Sequence, residues 1–528
     1  MNKTTAVNIE ILDTTLRDGA QGEGVSFSLL DKLAVVKTLV KQGIPLIEAG
    51  NPASNPKDME FFTAVRSLNL GNSHLCAFGA TRKKNSLVTQ DANLHSLLEA
   101  NTHWVSIFGK CWDLHVRDVL RTTNEENLAM IADTVAYFKA QGRQVIFDAE
   151  HFYDGCKQNP DYAMAAVTAA WQAGADRICL CDTNGGCFPD EVFDLTARVV
   201  KACPVMVGVH THNDTGCAVA NSMAAVAAGA RQVQGTSIGF GERCGNANLS
   251  TVIANLQLKR GMQCVPPEKL VRLTKTARQI AEIANQLLPE WMPYVGKSAF
   301  SHKGGMHVDG IYKNSLSFEH ISPELVGNRR NILISEFAGR SAVVNRIMAL
   351  DSTVTRDSQV TEEIIEKLKL MEYEGYAFES AEASFEIFAL KQLNKYHPAF
   401  TLEYFKTIGE QPALYVDRSC SVIIKLRVGQ TIEMTSAEGD GPVHALDIAL
   451  RKALEVFYPV VSAVRLVDYK VRVMETKVGT AAKVRVLIES SDGEHNWTTV
   501  GLSSDILEAS WQALRDSLEY KLLLDGQL

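Results

Sequence analysis

Short apolar runs recur through the first 260 residues, each followed by a longer stretch with helical periodicity. The runs are Ile9–Leu12, Ile44–Ile47, His74–Phe78, His103–Phe108, Gln144–Phe147, Arg177–Leu180, Val205–Val209 and Gln232–Ile238. Their length and β-branched content predict buried strands, whereas Leu29–Lys41, Asn124–Gln141 and Tyr162–Ala173 carry the apolar stripe of helices. Gly43, Gly142, Gly174 and Gly229 each follow a helical run, where C-caps belong. Strands alternating with helices in this way predict an α/β fold, a (β/α)8 TIM barrel. A doubly wound open sheet is the alternative, but no Gly-x-Gly-x-x-Gly fingerprint follows the first strand.

In such a barrel the active site gathers at the carboxyl ends of the strands. Strand 1 is followed by Arg17-Asp18 and strand 2 by Glu48. Strand 5 runs into Asp148-Ala-Glu150-His151, and strand 6 into Asp182-Thr183-Asn184. Strand 7 ends in His210-Thr-His212, and strand 8 in Gly241-Glu-Arg-Cys-Gly-Asn246. Residues two apart on a strand point the same way, so His210 and His212 emerge side by side, as two cis ligands of a divalent metal require. A chance His-x-His is common; the apolar strand before this one and Asn213-Asp214 after it favour metal. Asp18 offers a third, oxygen ligand. An Arg-Asp dipeptide is most often a surface ion pair, but this one directly follows a strand and precedes Gly19, Gly22 and Gly24, which let backbone and ligand approach closely. Two imidazoles and one carboxylate would leave positions open for water and substrate.

Composition narrows the function class. The chain has 528 residues, 46% hydrophobic and 22% charged, which is too long for one compact core. A net charge of -8 without a basic run argues against nucleic acid. The eleven cysteines include no Cys-x-x-Cys pair, and the cluster Cys179, Cys181, Cys187 reads as buried thiols. No signal-peptide pattern opens the sequence and no apolar run reaches the ~18 residues of a membrane span, so cytoplasm rather than membrane is expected.

Three motifs in this order, Thr14-Thr-Leu-Arg-Asp-Gly-Ala-Gln21, His210-Thr-His-Asn-Asp214 and Gly241-Glu-Arg-Cys-Gly-Asn246, resemble the signatures of the acyl-CoA aldol synthases. That family comprises the 2-isopropylmalate, homocitrate and citramalate synthases. Gly24-Val-Ser-Phe-Ser-Leu and Glu48-Ala-Gly-Asn-Pro-Ala-Ser-Asn-Pro56 resemble the longer citramalate synthases most. The resemblance implies that Asp18, His210 and His212 bind the metal, with Asn246 beside it; Asn246 otherwise reads as a turn residue. It implies that Arg17 meets the keto oxygen, that Thr183 holds the carboxylate of a 2-oxo acid, and that Glu150 is an active-site acid. Their plain readings are a helix N-cap for Thr183 and a solvated loop carboxylate for Glu150. Glu48 is counted with the substrate-binding residues.

The implied reaction joins acetyl-CoA to a 2-oxo acid, pyruvate for a citramalate synthase, in isoleucine biosynthesis. The metal is Mn2+ or Mg2+, with Zn2+ compatible. Within Phe300-Ser-His-Lys-Gly-Gly-Met-His-Val-Asp-Gly310, His307 matches the catalytic histidine and Asp309 its orienting partner, whereas His302 has no match. The base is His307 or Glu150. The family places this segment in the barrel of a second subunit, which implies a homodimer. Ser317 stands where some citramalate synthases carry a tyrosine, and Tyr312 lies off that spacing.

The expected domains are the barrel over 1–275, helical linker subdomains over 276–400 and an α+β regulatory or dimerisation domain over 401–528. Charged helical sequence runs over Arg356–Met371. Ser421–Val428 and Gln430–Thr435 predict strands before a helix over Gly441–Phe457. Val422–Ile424, Thr435 and Ala449-Leu-Arg451 recur 64 residues on as Val486–Ile488, Thr499 and Ala513-Leu-Arg515, a repeat that predicts a pseudo-twofold module. It resembles the domain in which these synthases bind an end-product amino acid, isoleucine on a citramalate route. Three alternatives stand beside this reading. They are a 2-isopropylmalate synthase acting on 2-oxoisovalerate, a metal-dependent acyl-CoA lyase, and an inactive barrel serving as an amino-acid sensor.

Overall fold

The eight apolar runs form one closed, all-parallel barrel. In a computed structural model describing residues 7–54, 56–303, 305–332, 340–351, 353–355, 358–409, 420–474 and 482–527, its strands are β1 (Glu10–Asp13), β2 (Leu46–Glu48), β3 (His74–Ala80), β4 (Trp104–Lys110), β5 (Gln144–Glu150), β6 (Arg177–Asp182), β7 (Met206–Thr211) and β8 (Gln232–Gly235). β1 pairs with β2 through Leu12 opposite Leu46 and with β8 through Leu12 opposite Gln234, which closes the ring. Alternation then sorts the side chains. Leu12, Leu46, Cys76, Trp104, Ile146, Cys179 and Cys181 fill the interior. Ile11, Ile47, Val105, Phe147, Ile178, Val207, Val209 and Val233 pack in the larger core under the helices.

The helices begin and end where local chemistry satisfies their free backbone groups. Leu29–Gln42 starts at Ser28, which forms a capping box with Asp31, and ends at Gly43 with φ 85°. Asn159 caps Pro160–Gln172, whose first residue needs no donor.

Strands β4, β5 and β6 run two or three residues past their apolar stretches. The ladder continues through Phe108 opposite Asp148 and Lys110 opposite Glu150, so backbone pairing carries polar residues to the barrel mouth on rigid strands. Conversely β8 stops at Gly235 rather than Ile238. A Cβ there would lie 2.4 Å from the Ala247 carbonyl, and the chain turns away through Thr236. Polar groups also occupy the opposite end of the barrel, where Arg177 and Gln232 donate to Glu10 at 3.1 and 2.7 Å.

The chain divides into two compact units, residues 1–300 with 320–330 and residues 301–319 with 331–528. The second unit contains the short parallel pair β9 (Ser301–His302) and β10 (Asn331–Ile332) and the helices Gly305–Lys313, Arg340–Leu350, Gln359–Glu374 and Glu382–Gln392. Of the sequence features expected here, Gly304, Arg356 and Asp357 lie outside the described residues; the helix expected from Arg356 is described from Gln359, capped by Ser358.

Two antiparallel sheets follow: β11 (Thr401–Gly409), β12 (Cys420–Val428) and β13 (Thr431–Gly439), then β14 (Arg465–Val473), β15 (Val484–Ser491) and β16 (Asn496–Ser503). Helices Pro442–Leu454 and Ile506–Leu524 follow the respective sheets. The sequence repeat is a structural one. Thr435 donates to the Ala449 carbonyl at 3.0 Å and Thr499 to that of Ala513 at 2.8 Å. The register irregularity at Leu402/Tyr404 likewise recurs at Leu466/Asp468. Among the described residues no helix is long and apolar enough to cross a membrane.

Candidate active site

His210 and His212 share the inward face at the end of β7, and their Nε2 atoms lie 3.3 Å apart. Asp18, in the turn after β1, brings Oδ2 to 3.2 Å from His210 Nε2 and 3.7 Å from His212 Nε2. All three side chains are buried and form a group able to hold a metal ion. The donor set fits a divalent cation. Burial, with His210 beside it, pushes the His212 imidazolium down to about 4, leaving a neutral ligand at neutral pH. Burial opposes ionisation of Asp18, but Arg17 and the two imidazoles hold its carboxyl well below the usual range. His212 Nδ1 and Asn246 Oδ1 are buried without a hydrogen-bond partner. Asn246 donates Nδ2 to Asp18 Oδ1 at 3.1 Å, so its free carbonyl oxygen belongs to the same cluster. Close packing requires glycine at Gly241, where a Cβ would sit 2.2 Å from Asn246 Nδ2.

Arg17 lies next to this group. Its Nε donates to Glu48 Oε2 at 2.6 Å and its Nη1 to Asp18 Oδ2 at 2.9 Å, with the guanidinium 4.0 Å from the centre of the Phe78 ring. Glu48 is fully buried, and burial raises its pKa against the lowering effect of Arg17. Glu150 pairs with Lys110 at 2.5 Å. It closes β5 and is not part of a loop. Thr183 is not a helix cap, because the next helix starts at Pro189. Its hydroxyl accepts the His151 amide at 2.9 Å, and its carbonyl accepts from Arg243 at 2.7 Å. The barrel thus collects Arg17, Asp18, Glu48, Glu150, Thr183, His210, His212 and Asn246 at the carboxyl ends of its strands.

His307 and Asp309 belong to the second unit, on the helix Gly305–Lys313. His307 is exposed and stacks on Phe318, ring centres 4.2 Å apart. Asp309 meets Lys313 one turn on at 2.6 Å, in place of the expected pairing with His307, because residues two apart on a helix face different ways. His302 pairs with Glu319 at 3.3 Å.

Comparison with known proteins matches three successive segments of the chain. Residues 8–282 match the HMGL-like family, 294–375 the homocitrate synthase post-HMGL domain-like family, and 379–522 the LeuA allosteric (dimerisation) domain. The (R)-citramalate synthase of Aquifex aeolicus is 50% identical, covering 99% of this chain and 99% of its own. That of Synechocystis sp. is 48% identical over 99% and 97%. The chain belongs to the (R)-citramalate synthase family. A probable 2-isopropylmalate synthase of Methanopyrus kandleri is more distant, 33% identical over 96% of each chain.

For a citramalate synthase family member, the structure adds residues that sequence reasoning left without a role. Gln234 on β8 places Oε1 3.2 Å from His210 Nδ1 and donates Nε2 to Asp148 Oδ1 at 2.9 Å. Ser106 donates to Asp148 Oδ2 at 2.5 Å. Ser106, between Val105 and Ile107, was a polar interruption visible in the sequence, whereas Asp148 and Gln234 lie on strands with other polar residues and carried no such local signal. Arg243 meets Asp214 at 2.8 Å, tying the Gly-Glu-Arg-Cys-Gly loop to the turn two residues past His212. Cys179 and Cys181 approach Asp148 closely enough for a second metal group. However, burial raises the Cys179 thiol well above its usual range, and at Cys181 the lowering effect of the Cys179 hydrogen bond is outweighed by burial together with the Asp148 and Glu150 carboxylates, so both favour the thiol.

Proposed function

We propose that this chain is an (R)-citramalate synthase, condensing acetyl-CoA with pyruvate and hydrolysing the thioester to give citramalate and CoA. The observation that carries this is the convergence of Asp18, His210 and His212 at the mouth of a barrel whose chain is 43–50% identical to five (R)-citramalate synthases. Functionally we divide the chain into the barrel over 1–275, linker subdomains over 276–400 and a regulatory module over 401–528.

A divalent cation, Mn2+ or Mg2+, held by Asp18, His210 and His212 beside Asn246, would polarise the keto carbonyl of the 2-oxo acid as a Lewis acid. Arg17 is held by Glu48 and Asp18 with its plane against Phe78, so its remaining donors are fixed toward the negative charge that develops on the keto oxygen. Thr183, anchored by the His151 amide, holds the substrate carboxylate. His307 takes the proton from the acetyl methyl. Its ring has no hydrogen bond or ion pair among the described residues, whereas Glu150 is engaged by Lys110. His307 would come from the second subunit of a homodimer, in keeping with the LeuA-type module, which would bind isoleucine as the feedback ligand. The cytoplasm is the proposed compartment.

Release of CoA thiol from acetyl-CoA tests the reaction, with pyruvate, 2-oxobutyrate, 2-oxoisovalerate and 2-oxoglutarate as acceptors and a chelator control. Preference for pyruvate, abolished by chelator, is expected. Preference for 2-oxoisovalerate would replace the substrate, and no release with any acceptor would overturn the proposal.

A further inference from the structure

We propose that Gln234 and Asp148 form a polarity relay that fixes the tautomer of His210 and so presents its Nε2 lone pair to the metal. This rests on the metal reading of Asp18, His210 and His212.

A primary amide has one accepting end and one donating end. The donating end of Gln234 meets Asp148 Oδ1 at 2.9 Å, and Asp148 receives the Ser106 hydroxyl on its other oxygen at 2.5 Å. That commits the carbonyl end of Gln234 to His210 Nδ1, 3.2 Å away. The Nδ1 atom must then carry the proton, and Nε2 is left as a lone pair facing His212 Nε2 and Asp18 Oδ2. With the amide reversed, its oxygen would face the Asp148 oxygen. The His210 proton would then move to Nε2, into the place of the ion. Protonation of Asp148 on Oδ2, toward Ser106, leaves Oδ1 an acceptor, so the relay does not depend on the state of that carboxyl. Ser106, Asp148, His210 and Gln234 are each at most 4% exposed, so bulk solvent does not compete for these hydrogen bonds. His212 has no equivalent, its Nδ1 being without a partner. Asp148 and Gln234 are therefore positioning residues, acting through His210.

The test is Mn2+ binding to the metal-stripped full chain without substrates, read from the electron paramagnetic resonance signal of free Mn2+. Asp148→Asn can turn either end of its amide to Gln234, so the polarity is lost. A tenfold to hundredfold weaker Mn2+ affinity, about the size of other outer-shell losses, is expected. Gln234→Met keeps the shape, removes the acceptor and is expected to do the same, which covers a poorly folding Asp148→Asn. The double variant Asp148→Asn/Gln234→Glu rebuilds the chain with a donor at 148 and an acceptor at 234. It is expected to return affinity to near the wild-type value, which a purely steric role would not do. Wild-type affinity in Asp148→Asn, or a double variant as weak as the single, would overturn the relay. Wild-type protein that binds Mn2+ but releases no thiol would overturn the reaction and leave the relay standing.

Discussion

Replacing Arg17 with Met should destabilise the barrel by an amount that grows with pH. Glu48 has a side chain with 0% exposure, and among the described residues Arg17 is its only ion-pair partner, 2.6 Å away. Its second oxygen, Oε1, has no hydrogen bond. Removing one partner of such a pair costs ~3–5 kcal/mol, because the other charge stays buried without compensation. Met retains much of the volume against Phe78, so the loss is mainly electrostatic. Glu48 can limit the cost by taking a proton. Its folded pKa is already raised by burial, and losing Arg17 raises it further.

The sign follows from proton counting. The folded variant keeps a proton on Glu48 at pH values where the unfolded chain has released it, so stability falls as pH rises. The steepest slope is about 1.4 kcal/mol per pH unit for one proton. Urea denaturation of wild type, Arg17→Met and Arg17→Met/Glu48→Gln between about pH 6 and 8 reads this directly. The gap between wild type and the single variant should widen with pH, and the double variant should recover most of it. A pH-independent gap, or no recovery in the double variant, would refute the claim that Arg17 compensates a buried Glu48 charge. Neither variant should release thiol at the wild-type rate, since both lack the guanidinium.

Three further outcomes are expected. Asp13 is 1% exposed, and burial pushes its carboxyl up to about 7. It therefore weakens the fold as pH rises from about 4 to 7, and Asp13→Asn should raise the urea midpoint at pH 8, a stabilisation of at most ~4 kcal/mol, with little effect at pH 4. His307→Gln should lower the turnover number for thiol release by ~10²–10⁴ and leave Mn2+ affinity unchanged; a parallel loss of Mn2+ binding would move His307 into the metal group. Thr499→Val should cost about 1 kcal/mol in thermal or urea melting, more than Thr435→Val, because Thr499 is fully buried and its repeat partner is half-buried. Equal costs would mean that the two hydrogen bonds differ in context less than their burial indicates.

What was legible in the sequence divides by the range of the interaction that creates it. The strands were legible because β-branched runs and glycine caps are local signals. Asp18, His210 and His212 were legible because a strand's two-residue period and a turn fix direction without knowledge of neighbours. Strand ends were not, because Glu150 and Asp182 are held in strand by pairing partners far away in sequence. Gln234 illustrates the limit best. On its own strand it is one glutamine between Val233 and Gly235, and nothing local separates it from Gln232, which serves the opposite end of the barrel through Glu10. The two residues face the same interior, and only the closed barrel's register, with His210 opposite Gln234, decides which one meets that histidine. Asp309 fails for the opposite reason. A motif spacing assigned it to His307, but on a helix that spacing turns the side chains apart and Lys313 takes the carboxylate. A strand makes neighbours of residues two apart and a helix separates them, so a two-residue motif is structural evidence only once its element is known.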